Sequence, residues 1–348
     1  MLSEISWLLA ALLAGPSVIL LLISTATLSG ILISGAIVAT LAGWALLLFW
    51  NASGRMPRWL GYCCLLAGGL LLLAAWVRAP RLGVDSADLF DLTPGVYSQY
   101  DGSARFHSWT PSSLLPEIDQ QLMGSHVFTW LDSRIDAPKA RQIRDLNRRI
   151  YDEMNRDGDF RRLPSSLGIC YTEMFTGRAP TGHRFVYLPK AAATAKDHPL
   201  PVILFLHGSL GNFQGYLWVW KRLADANGFA IVAPSHGIGE WRNDEGLAEV
   251  RSAFEYCRAQ PGFDASRIYL AGVSNGGAGI THAVPHFPGA FAGIIYLSPV
   301  IDPEKIADAA FGEALRGTPV LVITGATDIR VPTDYVTSGV DALKRQGA

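Results

Sequence analysis

The sequence predicts an α/β fold, a mostly parallel sheet flanked by helices, preceded by three transmembrane helices. Three observations predict it. Apolar residues crowd into the first 80 positions, β-rich runs alternate with amphipathic helices from His183 onward, and small polar turns follow three of those runs directly. The 348 residues are 49% hydrophobic and 17% charged, with a mean hydropathy of +0.22, too apolar for one ordinary soluble domain.

Residues 1–80 carry the excess. No charged side chain occurs in the 50 residues between Glu4 and Arg55, nor in the 19 from Trp59 to Val77, a distribution foreign to a purely cytosolic enzyme. A membrane helix needs about 20 apolar residues to cross a hydrocarbon layer of ~30 Å. Three segments meet this, at about 5–23, 28–50 and 59–77, joined by the polar links Ser24–Thr27 and Asn51–Arg58. Pro16 predicts a kink in the first. A cleaved signal peptide fits less well, because Glu4 and no Lys or Arg precede the apolar run. Gly30, Ser34, Gly35, Gly68 and Gly69 permit close helix approach. Arg55, Arg58 and the amino terminus lie on one side against Arg78 and Arg81 on the other, a slight bias towards an extracytoplasmic globular domain. A lipid bilayer is therefore the first expected partner.

The other 268 residues hold 26 basic and 29 acidic side chains. No basic excess suggests a nucleic-acid partner, and no fixed-period repeat occurs. The length suffices for one large α/β domain with a core that needs no disulfide. Cys63 and Cys64 lie within a predicted span; Cys170 and Cys257 either pair in an oxidising compartment or stay free and buried.

Residues 81–180 read as a juxtamembrane connection, mostly irregular, with turn signals at Thr93-Pro94-Gly95 and Thr110-Pro111. Within it, Ile143, Leu146, Ile150 and Met154 form one stripe and predict a helix over 137–157. Such a helix suits a cap over a cleft, a place on the lipid surface, or a solvated helix packing one face on the domain.

Residues 181–348 carry the sheet. Strands are expected at Arg184–Leu188, Val202–Leu206, Ala230–Ala233, Ile268–Ala271, Ala292–Leu297 and Val320–Ile323. Between them, Gln214–Ala226 and Glu245–Arg258 have helical spacing, the second with Leu247, Val250, Phe254 and Cys257 inward and Asn243 or Asp244 as cap. This alternation implies a mostly parallel sheet, whose ligands bind at the carboxyl ends of the strands.

Chemistry concentrates there. Gly272-Val273-Ser274-Asn275-Gly276-Gly277 follows one strand and opens a helix. A serine on so sharp a turn needs small neighbours, and the turn lifts its hydroxyl above the sheet at a helix N-terminus that favours negative charge. Leu206-His207-Gly208-Ser209-Leu210-Gly211-Asn212 ends another strand. Acyl transfer develops an oxyanion that needs two preorganised N–H donors, each worth about 2.7–4 kcal/mol. Ser209 or Leu210 can supply one and Asn275 the other, with His207 orienting the loop. After Ile323, the loop Thr324-Gly325-Ala326-Thr327-Asp328-Ile329-Arg330-Val331-Pro332 places a carboxylate at a strand end, 54 residues beyond Ser274. A carboxylate there can hold a catalytic imidazole in its productive tautomer. Asp302 is the alternative acid, and a solvated loop carboxylate is the plain reading of either.

From about Arg184 onward the sequence resembles the α/β-hydrolase superfamily, in particular its serine esterases and prolyl-oligopeptidase-like members. The resemblance rests on His207-Gly208, the stretch Arg267–Gly277 and Gly325–Pro332. It implies Ser274 as nucleophile and Asp328 as triad acid. It also implies a histidine after one more strand, yet only 20 residues follow Asp328 and none is His. His282 and His286 lie 8 and 12 residues past Ser274, roughly 12 and 18 Å along a continuous helix. His236 sits where, with Trp241 and His207, it would line a substrate pocket, and it is the minority choice of base. The leading expectation is a hydrolase domain that lacks its last strand here, with the histidine beyond Ala348.

The expected activity is thus a membrane-anchored serine hydrolase acting on a small carboxylic ester or other acyl substrate. A peptidase or acyltransferase would use the same serine turn, and a non-catalytic hydrolase-like binding module would account for the missing histidine. No Cys-x-x-Cys pair, His-Glu-x-x-His helix or glycine-rich phosphate loop occurs, so neither metal nor cofactor is expected.

Overall fold

The computed structural model describes residues 19–53, 58–79, 92–100, 102, 111–160, 163–193 and 198–348. Among the described residues, six runs of the carboxyl-terminal half and the segment Tyr97–Tyr100 pair into a seven-stranded mixed sheet. Its strands are β1 (Tyr97–Tyr100), β2 (Arg184–Tyr187), β3 (Leu200–Leu206), β4 (Ala230–Pro234), β5 (Phe263–Val273), β6 (Gly293–Leu297) and β7 (Val320–Ile323), in spatial order β1-β2-β4-β3-β5-β6-β7. β1 and β2 are antiparallel to their neighbours; from β4 to β7 all pairs are parallel. All six expected strands are present, and β5 runs farther toward both ends than its apolar centre suggested.

Helices flank the sheet, among them Gln214–Asn227, packed on β4, and Asp244–Ala259, packed on β3, β4 and β5. Asn243 caps the latter, its side chain accepting the Gly246 N–H at 2.7 Å. Val250, Phe254 and Cys257 point inward as the spacing requires, joining Leu204, Val232 and Leu270 in the core. Cys170 and Cys257 are both free and buried; burial pushes the Cys170 thiol up to about 11.

The chain divides into two compact units, residues 1–80 with 109–156 and residues 81–108 with 157–348. The expected juxtamembrane connection, 81–180 with its helix at 137–157, is divided between the two units. Tyr97–Tyr100 pairs with β2 in register Tyr97 to Tyr187, which ties that part of the connection to the sheet. Helices Glu117–Leu131, Ala137–Arg156 and Leu167–Thr176 account for much of the remainder.

In the first unit, helices Leu28–Ser53 and Arg58–Arg78 pack side by side. Among the described residues, two stretches, Leu28–Leu48 and Arg58–Arg78, are long and apolar enough to cross a membrane. The first expected span, 5–23, lies for the most part outside the described residues. Backbone approach at Gly68 is close: a Cβ there would stand 2.5 Å from Thr40 Oγ1 and 3.1 Å from the Ala36 carbonyl. Gly69, by contrast, faces nothing within 4 Å.

Helix Glu117–Leu131 shows no apolar stripe because its buried face is partly polar. Asp119 accepts the N–H groups of Ala26 at 2.6 Å and Thr27 at 3.2 Å and the Thr27 hydroxyl at 2.6 Å, just ahead of helix Leu28–Ser53. An acceptor there satisfies N–H donors that a helix start leaves open and complements its dipole. The Tyr151 hydroxyl donates to the Glu117 carboxylate. In helix Ala137–Arg156 the buried face consists of Ala140, Tyr151 and Met154, whereas Ile143 and Leu146 remain exposed, so the inward stripe is rotated from the expected one.

In the second unit, Glu249 of helix Asp244–Ala259 is only 2% exposed and accepts the Gly182 N–H at 2.6 Å. Burial pushes its carboxyl up to about 7 from 4.5, with the Gly182 bond and the Arg184 charge opposing. Arg184 itself lies over the rings of Tyr100 and Tyr256. A carboxyl raised in the folded state releases its proton more readily when unfolded. Its contribution to stability is therefore full below pH 4.5 and lost as pH rises through about 7. Glu249→Gln replaces the carboxyl acceptor of the Gly182 N–H with an amide oxygen and removes the ionisation. The variant is expected to exceed the parent in stability by about 3 kcal/mol near pH 8 and to converge with it at acidic pH, read by denaturant unfolding at several pH values.

Candidate active site

β5 ends at Val273, and the chain turns at Ser274 with φ 52° and ψ −117° before helix Asn275–Ala283. A non-glycine residue at positive φ is strained, and such strain persists only where the surroundings over-determine it. Here the Ser274 N–H donates to the Leu297 carbonyl at 3.0 Å, and the Ser274 carbonyl accepts from Gly277 and Val300, both at 2.9 Å. Glycine flanks make the turn sterically feasible: a Cβ on Gly272 would lie 2.5 Å from the Gly276 carbonyl carbon, and one on Gly276 would lie 2.2 Å from the Leu206 carbonyl oxygen.

The second turn comes from the end of β3. Gly208 lies against the serine, since a Cβ on it would stand 3.3 Å from Ser274 Cβ. The Asn275 side-chain amide donates to Ser209 Oγ at 3.0 Å, tying the two turns together. Leu210 adopts φ 73° and its N–H donates to the Ile238 carbonyl at 3.1 Å. That commitment removes Leu210 from the two loop donors expected for an oxyanion. Among the described residues, the Ser209 and Asn275 N–H groups enter no backbone hydrogen bond.

His207 is fully buried behind this turn. Its Nε2 accepts the His236 N–H at 3.0 Å, which leaves the proton on Nδ1 to donate to the Gly208 carbonyl at 2.6 Å. Burial holds the imidazole down at about 3, so the ring is neutral. Both ring nitrogens of His207 are thus engaged, which ties the turn to the 236–239 loop. Trp241 donates from its indole N–H to the His207 carbonyl at 2.9 Å and belongs to the core. The His236 ring lies on Trp241 with centroids 5.3 Å apart and is equally buried, its pKa lowered chiefly by desolvation. His207, His236 and Trp241 thus form the packed backing of the turn, where the sequence suggested a pocket lining.

Asp328 lies in the loop after β7, its Oδ1 accepting the N–H groups of Arg330 at 2.8 Å and Val331 at 2.9 Å. Asp302 caps the short helix Pro303–Ile306 through the N–H groups of Glu304 and Lys305. β5, β6 and β7 are mutually parallel, so the Ser274 turn, the Asp302 loop and the Asp328 loop share the carboxyl end of the sheet. His282 and His286 form a ring pair 5.8 Å apart. Among the described residues, no histidine side chain is hydrogen-bonded to Ser274 or Asp328. β7 pairs with β6 alone among the described strands. Val320 and Val322 pack on the core, whereas Leu321 and Ile323 are each 52% exposed.

Two polar residues near the site went unread in the sequence. Glu173, on helix Leu167–Thr176, accepts the Ile238 N–H at 2.7 Å. Ser166 donates from its hydroxyl to the Asn212 carbonyl at 2.5 Å. The one local signal of this helix is the short apolar run Leu167–Tyr171 closed by Gly177, which caps it at φ 67°.

No protein-family model matches the chain. Two curated proteins are similar to part of it. A bifunctional acetylxylan esterase/xylanase of Neocallimastix patriciarum is 28% identical over 134 residues, 37% of this chain and 19% of that protein. A pyrethroid hydrolase of Sphingobium wenxiniae is 33% identical over 138 residues, 38% of this chain and 47% of that protein. The chain therefore spans a fifth to a half of the curated relatives it matches. Among solved structures, a thermostable esterase aligns at 21% identity with a TM-score of 0.38, covering 48% of each chain. The mixed sheet with flanking helices, together with the esterase and hydrolase relatives, supports an α/β-hydrolase.

Proposed function

We propose that the protein is a membrane-anchored serine hydrolase of small carboxylic esters. The observation that carries this reading is Ser274, held at positive φ at the head of a helix with the Gly208-Ser209 turn against it. Ser274 Oγ gives its proton to the general base and attacks the ester carbonyl carbon, the base passes that proton to the leaving alkoxide, and water, deprotonated by the same base, then hydrolyses the acyl-enzyme and frees the serine, which takes the proton back. The N–H groups of Ser209 and Asn275 stabilise the oxyanion of each tetrahedral intermediate. Asp328 orients the base.

The base in this reading is an imidazole outside the described residues, brought to the edge of β7 that no described strand pairs. Half-exposed Leu321 and Ile323 on that strand and the absence of an imidazole on Ser274 or Asp328 among the described residues support it. The helices Leu28–Ser53 and Arg58–Arg78, together with the expected span at 5–23, hold the domain to the bilayer. Ile31, Trp44, Leu66 and Val77 face outward from them, as lipid contact requires. Arg55 and Arg58 favour the cytoplasmic side for their loop, which puts the hydrolase domain on the other. No nucleic acid enters this reading.

Ester and amide substrates separate the alternatives. The full-length protein in detergent is expected to hydrolyse p-nitrophenyl butyrate and to leave the matching p-nitroanilide intact. Comparable turnover of the anilide would indicate a peptidase. Turnover of neither by a folded protein would indicate a binding module.

A further inference from the structure

We infer that the segment Ser166–Gly177 is a clamp that sets the oxyanion turn, with Glu173 and Ser166 as its positioning residues. The inference rests on the serine-hydrolase reading and deepens it. The segment precedes the part of the chain that resembles hydrolases, and it reaches the 209–212 turn from both of its ends. At the carboxyl end, Glu173 Oε2 accepts the Ile238 N–H at 2.7 Å, and the Ile238 carbonyl in turn accepts the Leu210 N–H at 3.1 Å. At the amino end, the Ser166 hydroxyl donates to the Asn212 carbonyl at 2.5 Å. The turn is thereby anchored at Leu210 and at Asn212, directly after Ser209.

The need for anchors is visible in the backbone. Leu210 has φ 73° and Gly211 φ 118°, and a leucine adopts such a conformation only where neighbouring bonds dictate it. The Leu210 N–H, turned to Ile238, fixes the Ser209–Leu210 peptide, which adjoins the Gly208–Ser209 peptide whose N–H the mechanism uses. The other side of the relay is equally constrained. Gly237 has φ 36°, and a Cβ on it would lie 1.4 Å from Glu173 Oε2, so the carboxylate occupies the place of a side chain. A carboxylate acceptor binds a backbone N–H more firmly than a neutral one. Neither residue touches the reacting atoms; each acts through the turn.

Oxyanion donors act only when they are aimed before the charge develops, and losing one costs roughly 10²–10³-fold in kcat. Glu173→Ala in the full-length protein is expected to lower kcat for p-nitrophenyl acetate at least about 10-fold, with KM within about 2-fold because ground-state binding does not use the donor. Glu173→Gln, whose amide oxygen can still accept the Ile238 N–H, is expected to recover most of that loss. Ser166→Ala is expected to lower kcat in the same direction through the other anchor. If Glu173→Ala does not fold, Glu173→Asp, which draws the carboxylate back by one methylene, gives the same readout. Unchanged kcat in the alanine or aspartate variant would overturn the inference, as would a loss shared by KM and kcat or one that glutamine fails to restore. A parent protein with no esterase activity would instead overturn the underlying reading, so the two failures are distinguishable.

Discussion

Replacing Ser274 with alanine is expected to reduce ester hydrolysis by about 10⁴-fold or more. The serine is the group that forms the acyl bond in this mechanism, and the described site offers no second nucleophile against Gly208. What remains is the catalysis that a correctly placed oxyanion turn gives to water. Alanine meets the same backbone penalty as serine at φ 52°, so stability is expected to stay within about 0.5 kcal/mol. Ser274→Gly separates the two effects. It is equally inactive, yet it relieves the strained φ and ψ and is expected to raise stability by about 1 kcal/mol. Paired assays of ester turnover and thermal unfolding check both: a Ser274→Gly variant no more stable than Ser274→Ala would show that the turn stores no strain.

Gly276→Ala is expected to damage the fold itself. The added methyl would lie 2.2 Å from the Leu206 carbonyl oxygen, 2.8 Å from its carbon and 3.0 Å from the His207 oxygen. All three are backbone atoms at the end of β3, so no rotamer change relieves the clash; β3 and helix Asn275–Ala283 must move apart. Overpacking of this kind costs about 3 kcal/mol or more, which corresponds to a fall in Tm of about 10 °C for a domain of this size. Activity falls as well, because the displaced backbone carries Gly208 and Ser209. Gly262→Ala is the control: it has ordinary φ and nothing within 4 Å of the added carbon. Differential scanning calorimetry of the two variants is expected to show a large shift for the first and almost none for the second.

What the sequence disclosed follows the range of the interactions involved. The Ser274 turn is legible because its requirement is local: glycines on both sides of one serine, between a strand and a helix. The runs that became β2 to β7 are legible because they are apolar without reference to any partner. Other features draw their reason from distant chain. Tyr97–Tyr100 is too short and polar to read as a strand until it meets β2. Asp119 looks like a surface residue of helix Glu117–Leu131 until Ala26 and Thr27, more than 90 positions away, bring it their N–H groups. Glu173 is likewise explained only by Ile238. The choice between Ser209 and Leu210 as donor had no answer in sequence, since it depends on which N–H the 236–239 loop has already taken. The sequence suggests His236 and Trp241 as a pocket lining, whereas burial packs them behind the turn.

The central claim is that Ser274 is the nucleophile of an acyl-transfer site. It is tested most directly by treating the folded full-length protein with a fluorophosphonate and mapping the adduct by peptide mass spectrometry. The account predicts one phosphonyl group on the peptide containing Ser274 and none in Ser274→Ala. An unlabelled Ser274 in the folded protein, or an adduct on another residue that persists in Ser274→Ala, would contradict it.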